Sequence, residues 1–246
     1  MLERGHSALA IDDGSKALVC FGFPNGPTYD YNDWFKCDIF ECSSPENCST
    51  TPTFSSLHPH YAGGLGSHMG EPVTVGTSSR AESPEDPLVD SREQYKIAEK
   101  LTEDGWIRIE NHPVGSDGHS FLTLPSGKLL LLGGVVRVEG YDRDLQDEIY
   151  ELDLHEYWNV VGKLQEFIYG GSSMLVDNSI FLFPGQCPDG SCPIQRLDLV
   201  DEAIDSVDII GNHTFEPEGW GASYFPQLFY TEQLDACVAP SDVEEI

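Results

Sequence analysis

Positive charge is what this sequence has least of. Of its 246 residues only 13 are Lys or Arg, against 42 Asp or Glu, and the formal net charge is −29 at pH 7. Such a chain repels phosphate backbones and anionic membrane surfaces, which argues against nucleic acid and acidic headgroups as partners. No stretch approaches the roughly 18 apolar residues needed to cross a bilayer, so membrane insertion is not expected. Met1-Leu2-Glu3-Arg4 has none of the pattern of a secretory leader. The sequence also lacks a G-x-S-x-G nucleophile elbow, an H-E-x-x-H zinc motif and a P-loop. Gly63-Gly64-Leu65-Gly66 is glycine-rich but opens a strand rather than leading from strand to helix, so a nucleotide reading is poor. No catalytic residue, cofactor site or metal site is assigned, and the reading leans away from an enzyme.

What the chain does have is a repeated strand pattern. Its fullest copy runs from Gly118 to Trp158. His119 to Leu124 reads as a strand, Pro125-Ser126-Gly127 as a tight turn, and Lys128 to Leu132 as an aliphatic strand buried on both faces. Gly133-Gly134 ends that strand, where the backbone must turn with no Cβ in the way. A polar loop follows, then the alternating strand Glu148 to Leu152 and a fourth strand opened by Tyr157-Trp158. Other openings are Gly5-His6-Ser7, Tyr61-Ala62-Gly63-Gly64, Tyr169-Gly170-Gly171-Ser172 and Gly219-Trp220-Gly221-Ala222, roughly 50 to 57 residues apart. The predicted second strands are Ala17 to Phe21, Pro72 to Val75 and Ser179 to Phe183, closed by Gly22-Phe23, Gly76-Thr77 and Pro184-Gly185. Later strands are expected around Trp34 to Phe40, Tyr95 to Ile97, Trp106 to Ile109, Ile194 to Leu199 and Ile204 to Ile210.

The copy at His119-Ser120, with its aliphatic strand closed by Gly133-Gly134, its Asp153 and its Tyr157-Trp158, resembles a kelch repeat. The resemblance implies an all-β, kelch-type β-propeller over residues 1–238. Its blades would span about 2–59, 60–113, 114–166 and 167–216, with part of a fifth at 217–238 and an acidic tail at 239–246. Four blades and a remnant leave two expectations, an incomplete ring or an unusually small one closed by pairing Ala222 to Thr231 against the first blade. The role the resemblance implies is non-catalytic protein–protein binding through loops on one propeller face. The loops singled out are Phe23 to Asp33, Thr77 to Glu93 and Val135 to Gln146. The alternative is a fragment of a kelch-fold oxidase or carbohydrate-active extracellular protein. The copper oxidases of this superfamily imply a Tyr-Cys cross-link with His ligands, and no arrangement here places that set. The E-x-x-x-D-x-x-x-H motif of the iron-binding kelch enzymes is absent too.

Seven cysteines and two N-x-S/T sequons, at Asn47 and Asn212, favour an extracellular or secretory protein over a cytoplasmic one. Cys187 with Cys192, and Cys42 with Cys48, each flank a short turn that a disulfide would close. The odd count leaves at least one thiol over, and Cys20, in a core strand, is the expected one. Zinc spacing is poor at Cys187 and Cys192, and equally poor at Cys37 and Cys42.

His6 and His119 hold matching repeat positions, which reads as structural, with each ring hydrogen-bonding a neighbouring strand or loop. His58, His60 and His68 cluster near the second blade. A metal face there lacks a matching carboxylate or thiol motif. Asp142, Asp144, Asp147 and Glu148 offer oxygens to calcium without the D-x-D-x-D-G spacing, so a solvated turn is expected, with weak calcium binding as the alternative. Trp106 and Trp158, before the last strand of their copies, are expected to pack between blades, as framework positions like Gly133 and Gly134. Trp34 and Trp220 have no assigned role. The partner is expected to be a protein, cation-rich on the sharper reading of the charge, and no cofactor is expected.

Overall fold

The computed structural model describes residues 7–12, 14–21, 35–44, 47–60, 64–76, 93, 95–137, 143–185 and 191–214. They form four small antiparallel sheets arranged as the blades of a β-propeller. Blade one holds β1 (Ser7–Ile11), β2 (Lys16–Cys20), β3 (Cys37–Ser44) and β4 (Asn47–Pro52). Blade two holds β5 (Gly64–His68), β6 (Glu71–Val75), β7 (Ala98–Thr102) and β8 (Gly105–Arg108). Blade three runs β9 (Ser120–Thr123), β10 (Leu129–Leu132), a side hairpin of β11 (Val135–Arg137) and β12 (Arg143–Leu145), then β13 (Glu148–Leu152) and β14 (Trp158–Lys163). Blade four holds β15 (Ser172–Val176), β16 (Ser179–Phe183), β17 (Ser191–Val200) and β18 (Ala203–Thr214). The first strands stand side by side, β1 next to β5, β5 next to β9 and β9 next to β15. Among the described residues no helix is long and apolar enough to cross a membrane.

Packing follows from the alternation of β10. Leu129 to Leu132 are all buried. Successive side chains of a strand point to opposite faces. Leu129 and Leu131 therefore join Val73, Val75 and Ala98 of blade two, while Leu130 and Leu132 join Ile180, Leu182 and Leu197 of blade four. Burying each such leucine contributes about 1.5–3 kcal/mol. A third core, at the junction of blades one and two, contains Leu18, Phe21, Leu65 and Trp106. Two indoles repeat one bond: Trp106 Nε1 donates to the Phe54 carbonyl at 3.0 Å and Trp158 Nε1 to the Glu110 carbonyl at 3.1 Å. Each ties the outer strand of a blade to the linker that feeds it.

The turns have local causes. At Pro125-Ser126-Gly127, Gly127 N–H donates to the Leu124 carbonyl at 2.8 Å and Leu124 N–H to that of Lys128 at 2.9 Å. Between β13 and β14, Asp153 Oδ1 accepts from the backbone N–H groups of His155 and Tyr157 at 2.8 and 3.0 Å, and Oδ2 accepts from Asn159 Nδ2 at 3.1 Å. These three donors hold the Asp153 carboxyl below its ordinary range, the Tyr157 N–H contributing most.

Several expectations need correction. The Ser- and Thr-rich stretch from Cys42 to Thr53 is not merely a turn closed by Cys42 and Cys48: β4 pairs along β3. Every residue of β4 is exposed, so no apolar alternation marked it. The loop from Val135 to Gln146 contains the β11–β12 hairpin. The third strand of blade two begins at Ala98, three residues after the expected start at Tyr95. Cys20 is not the unpaired thiol: it is bonded to Cys37, its directly opposed partner across β2 and β3. Cys42 and Cys48 are bonded to each other. Cys187 lies outside the described residues, so that proposed pairing does too, as do the fifth copy at 217–238 and the tail.

The two bridges should differ in weight. Closing a loop over 17 residues at Cys20–Cys37 is worth about 3 kcal/mol in the chain-entropy model, against about 2 kcal/mol for the 6-residue loop at Cys42–Cys48. We expect Cys20→Ala/Cys37→Ala to lower the urea midpoint more than Cys42→Ser/Cys48→Ser does. An equal or reversed order would show that the length of the closed loop does not set the weight of these two bridges.

Candidate binding face

In every blade the second strand ends, and the third begins, at the same end of the propeller. The connections β2 to β3, β6 to β7, β10 to β13 and β16 to β17 all leave from this end, so it carries the long insertions. Phe23 to Asp33, Thr77 to Arg92 and Val138 to Asp142 lie outside the described residues. What the structure does give is the floor at the end from which they leave.

That floor is polar and buried. Glu99, on β7, has no exposed surface and joins the two histidines of the preceding linker. His58 Nδ1 meets Glu99 Oε1 in a short contact, and Leu57 N–H donates to Oε2 at 3.0 Å. His60 Nε2 lies 3.2 Å from Oε2, and its Nδ1 faces the Gly76 carbonyl. Burial alone would raise the Glu99 carboxyl, but hydrogen bonds from His58 and His60, reinforced by their charge, hold it down at about 2. His68, on β5, is not part of this group. Its Nε2 donates to the Asp153 carbonyl at 2.8 Å. Among the described residues no group of three or more His, Cys, Asp or Glu side chains is arranged to hold a metal ion. Glu99 bridges His58 and His60 and so braces the linker against β7, with Phe21 tilted against the His60 ring at a centroid distance of 5.2 Å.

His119 stands where β9 begins. Neither ring nitrogen has a hydrogen-bond partner among the described residues, in place of the expected bond to a neighbouring strand. The ring packs edge-on against Phe121 at 4.6 Å. Burial, helped by the charge of His60, pushes it down to about 3. His112, beneath the next junction, accepts from Gly115 N–H through Nδ1 at 3.1 Å and packs edge-on against Tyr150 and Trp158. Burial, then the charge of His119, brings it to about 3 as well. Gly133 and Gly134 both take positive φ, +68° and +96°. A Cβ on Gly134 would lie 2.3 Å from Ser116 Oγ and one on Gly133 2.6 Å from the Ile168 carbonyl oxygen. The Gly-Gly pair is thus where β10 leaves its blade through a gap too narrow for side chains.

The remaining candidates are dispersed. Asp144 is exposed, Asp147 pairs with Lys163 at 2.9 Å, and Glu148 accepts from Tyr150 Oη at 2.5 Å, so these carboxylates do not converge. Asp142, His6, Trp34 and Trp220 lie outside the described residues. Asn47 and Asn212 are both exposed on outer strands, β4 and β18. The four described cysteines with placed side chains are bonded to one another, which leaves none of them for a Tyr-Cys cross-link. Glu99 is the residue that sequence reading missed. Ile97, Glu99 and Leu101 share a strand face, and that alternation was the available signal of a carboxylate aimed inward.

No protein-family model matches this chain, and no curated protein matches it. Solved structures do. One, described as "Structure of YjhT", superposes with a TM-score of 0.63 over 90% of this chain and 67% of its own, at 12% sequence identity. At that identity the likeness speaks for the propeller fold alone.

Proposed function

We propose that this chain is a kelch-type propeller that binds a cation-rich protein segment through the face bearing its second-to-third connections, in an oxidising extracellular or secretory compartment. The observation that carries the reading is the shared exit of those connections above a buried, cross-braced floor. A rigid scaffold with long loops at one end is a binding architecture. The kelch assignment is supported by Gly133-Gly134 at the strand exit, the Asp153 turn and the repeated indole tie of Trp106 and Trp158. The compartment is supported by the two disulfides. Charge supports the partner's chemistry. Residues 22–34, 77–92, 138–147 and 186–190 hold two, four, four and one acidic residues, eleven in all, against the three basic residues Arg80, Arg92 and Arg143.

The test is binding of the full chain to a displayed library of secreted-protein segments spanning a range of net charge. Enrichment of basic segments is expected, with affinity falling about tenfold or more between 50 and 300 mM salt. Replacing Glu82, Glu85, Asp86 and Asp90 by Gln or Asn should weaken the selected binders. Enrichment indifferent to charge, or binders untouched by the loop changes, would overturn the reading.

A further inference from the structure

The outer strand of blade four differs from the other three. β18 is 12 residues long, and among the described residues no strand pairs with its outer side. A long exposed edge is a template for pairing with another chain, and proteins guard such edges with short strands, proline, lysine or β-bulges. β4 ends on Pro52 and is stapled by Cys42–Cys48, and β8 has only 4 residues. β14 is 6 residues long and ends on Lys163. β18 has neither proline nor lysine, and two register shifts interrupt its pairing with β17, one between Ile209 and Gly211 and one between Ile204 and Ser206. Its first half carries Asp205 and Asp208, but Ile209 to Thr214 has no acidic or basic charge apart from His213, and Ile209 and Ile210 are 43% and 47% exposed. That half ends in the sequon Asn212-His213-Thr214. Asn212 is exposed and follows Gly211, where an added Cβ would meet nothing within 4 Å.

We propose that Asn212 is N-glycosylated and that its glycan is the guard of the β18 edge. Asn47 is the poorer acceptor. It sits inside the loop closed by Cys42–Cys48, its Nδ2 donates to Ser43 Oγ at 2.8 Å, and its sequon's middle residue is the bonded Cys48. In the transfer, Asn212 Nδ2 forms a bond to the anomeric carbon of a polyprenyl-diphosphate-linked oligosaccharide. The carbon–oxygen bond to diphosphate breaks, the lipid diphosphate leaves with the electron pair, and the amide proton passes to a base of the host transferase. A glycan of several sugars beside Ile209 and Ile210 keeps a second strand from reaching their backbone.

This inference rests on the secretory reading, and the experiment separates the two. The full chain is expressed through a eukaryotic secretory pathway and mapped by peptide mass, with thiol alkylation and with enzymatic deglycosylation. Expected are blocked cysteines, a glycan at Asn212 and little or none at Asn47. Trimming the glycan from folded protein, or the variants N212Q and T214A, should raise the self-associated fraction in size-exclusion at least fivefold. Blocked cysteines with a bare Asn212 overturn this inference and leave the secretory reading standing. Reactive cysteines and no glycan overturn both. A glycan at Asn212 whose removal leaves the protein monomeric overturns the guarding role.

Discussion

Gly76→Ala is expected to cost roughly 2–5 kcal/mol, a large part of the 5–15 kcal/mol that typically separates folded from unfolded states. Gly76 ends β6 at a φ of +85°, and a Cβ there would lie 2.1 Å from the Ser116 carbonyl oxygen. The glycine cannot retreat. Its N–H donates to the Ile97 carbonyl at 3.0 Å, and its carbonyl faces His60 Nδ1 from the other side. Nor can Ser116, whose N–H donates to Tyr95 at 3.2 Å and whose neighbour Asp117 exchanges backbone bonds with Val135 at 3.0 and 2.9 Å. Gly70 provides the control, because it has the same φ of +85° and nothing within 4 Å of its Cβ position. Gly70→Ala should cost only the backbone penalty, about 1–2 kcal/mol. Denaturant midpoints of the two variants isolate the steric part. Equal losses would mean that the junction of blades two and three yields to a methyl group.

Acid should unfold this protein early. His112 and His119 are held neutral by burial, both at about 3 in the folded state against an ordinary 6.5. Between those values the unfolded chain binds protons that the folded chain does not, so stability is complete above pH 6.5 and falls as pH drops towards 3. At pH 5 each ring removes about 2 kcal/mol, and the pair about 4 kcal/mol. Glu99 adds to this lower down. Its folded value of about 2 lies below the ordinary 4.5, so its contribution is present above 4.5 and lost between 4.5 and 2. Relief of the −29 net charge works the other way on acidification. That repulsion is screened by salt, so the measurement belongs in about 0.5 M NaCl. Urea unfolding from pH 7.5 to 5.5 should show a proton uptake on unfolding that climbs from near zero to nearly two at the acid end, reduced to about one by His119→Phe. A flat profile over that range would mean that the two rings are not buried and neutral.

The framework of the fold was legible where local chemistry dictates it. Leu129 to Leu132 announce a strand with both faces covered, and Pro125-Ser126-Gly127 is a turn in any context. The misses have a common origin in long-range partners. β4 is formed by polar residues exposed on both sides, and only pairing with β3 makes it a strand. Cys20 meets Cys37 across 17 residues, a pairing no short spacing announces. His58 and His60 were visible as a pair, but the carboxylate that unites them, Glu99, comes from 41 and 39 residues away. A shared loop face was expected only through the resemblance to a propeller. The strand order is what puts the second-to-third connections at one end.

The indole ties change where this chain can be divided. Phe54 belongs by sequence to the stretch leaving blade one, yet its carbonyl is gripped by Trp106 and its ring lies over Gly105, both from blade two. Glu110 is held by Trp158 of blade three in the same way. The blades overlap like shingles, each one lapping the tail of the one before. A fragment begun at Gly64 would strip Trp106 of its acceptor, whereas one begun at Thr53 would keep it. The natural seams therefore run ahead of the linkers, and recombination or truncation at the visible repeat boundaries would cut through the fastenings.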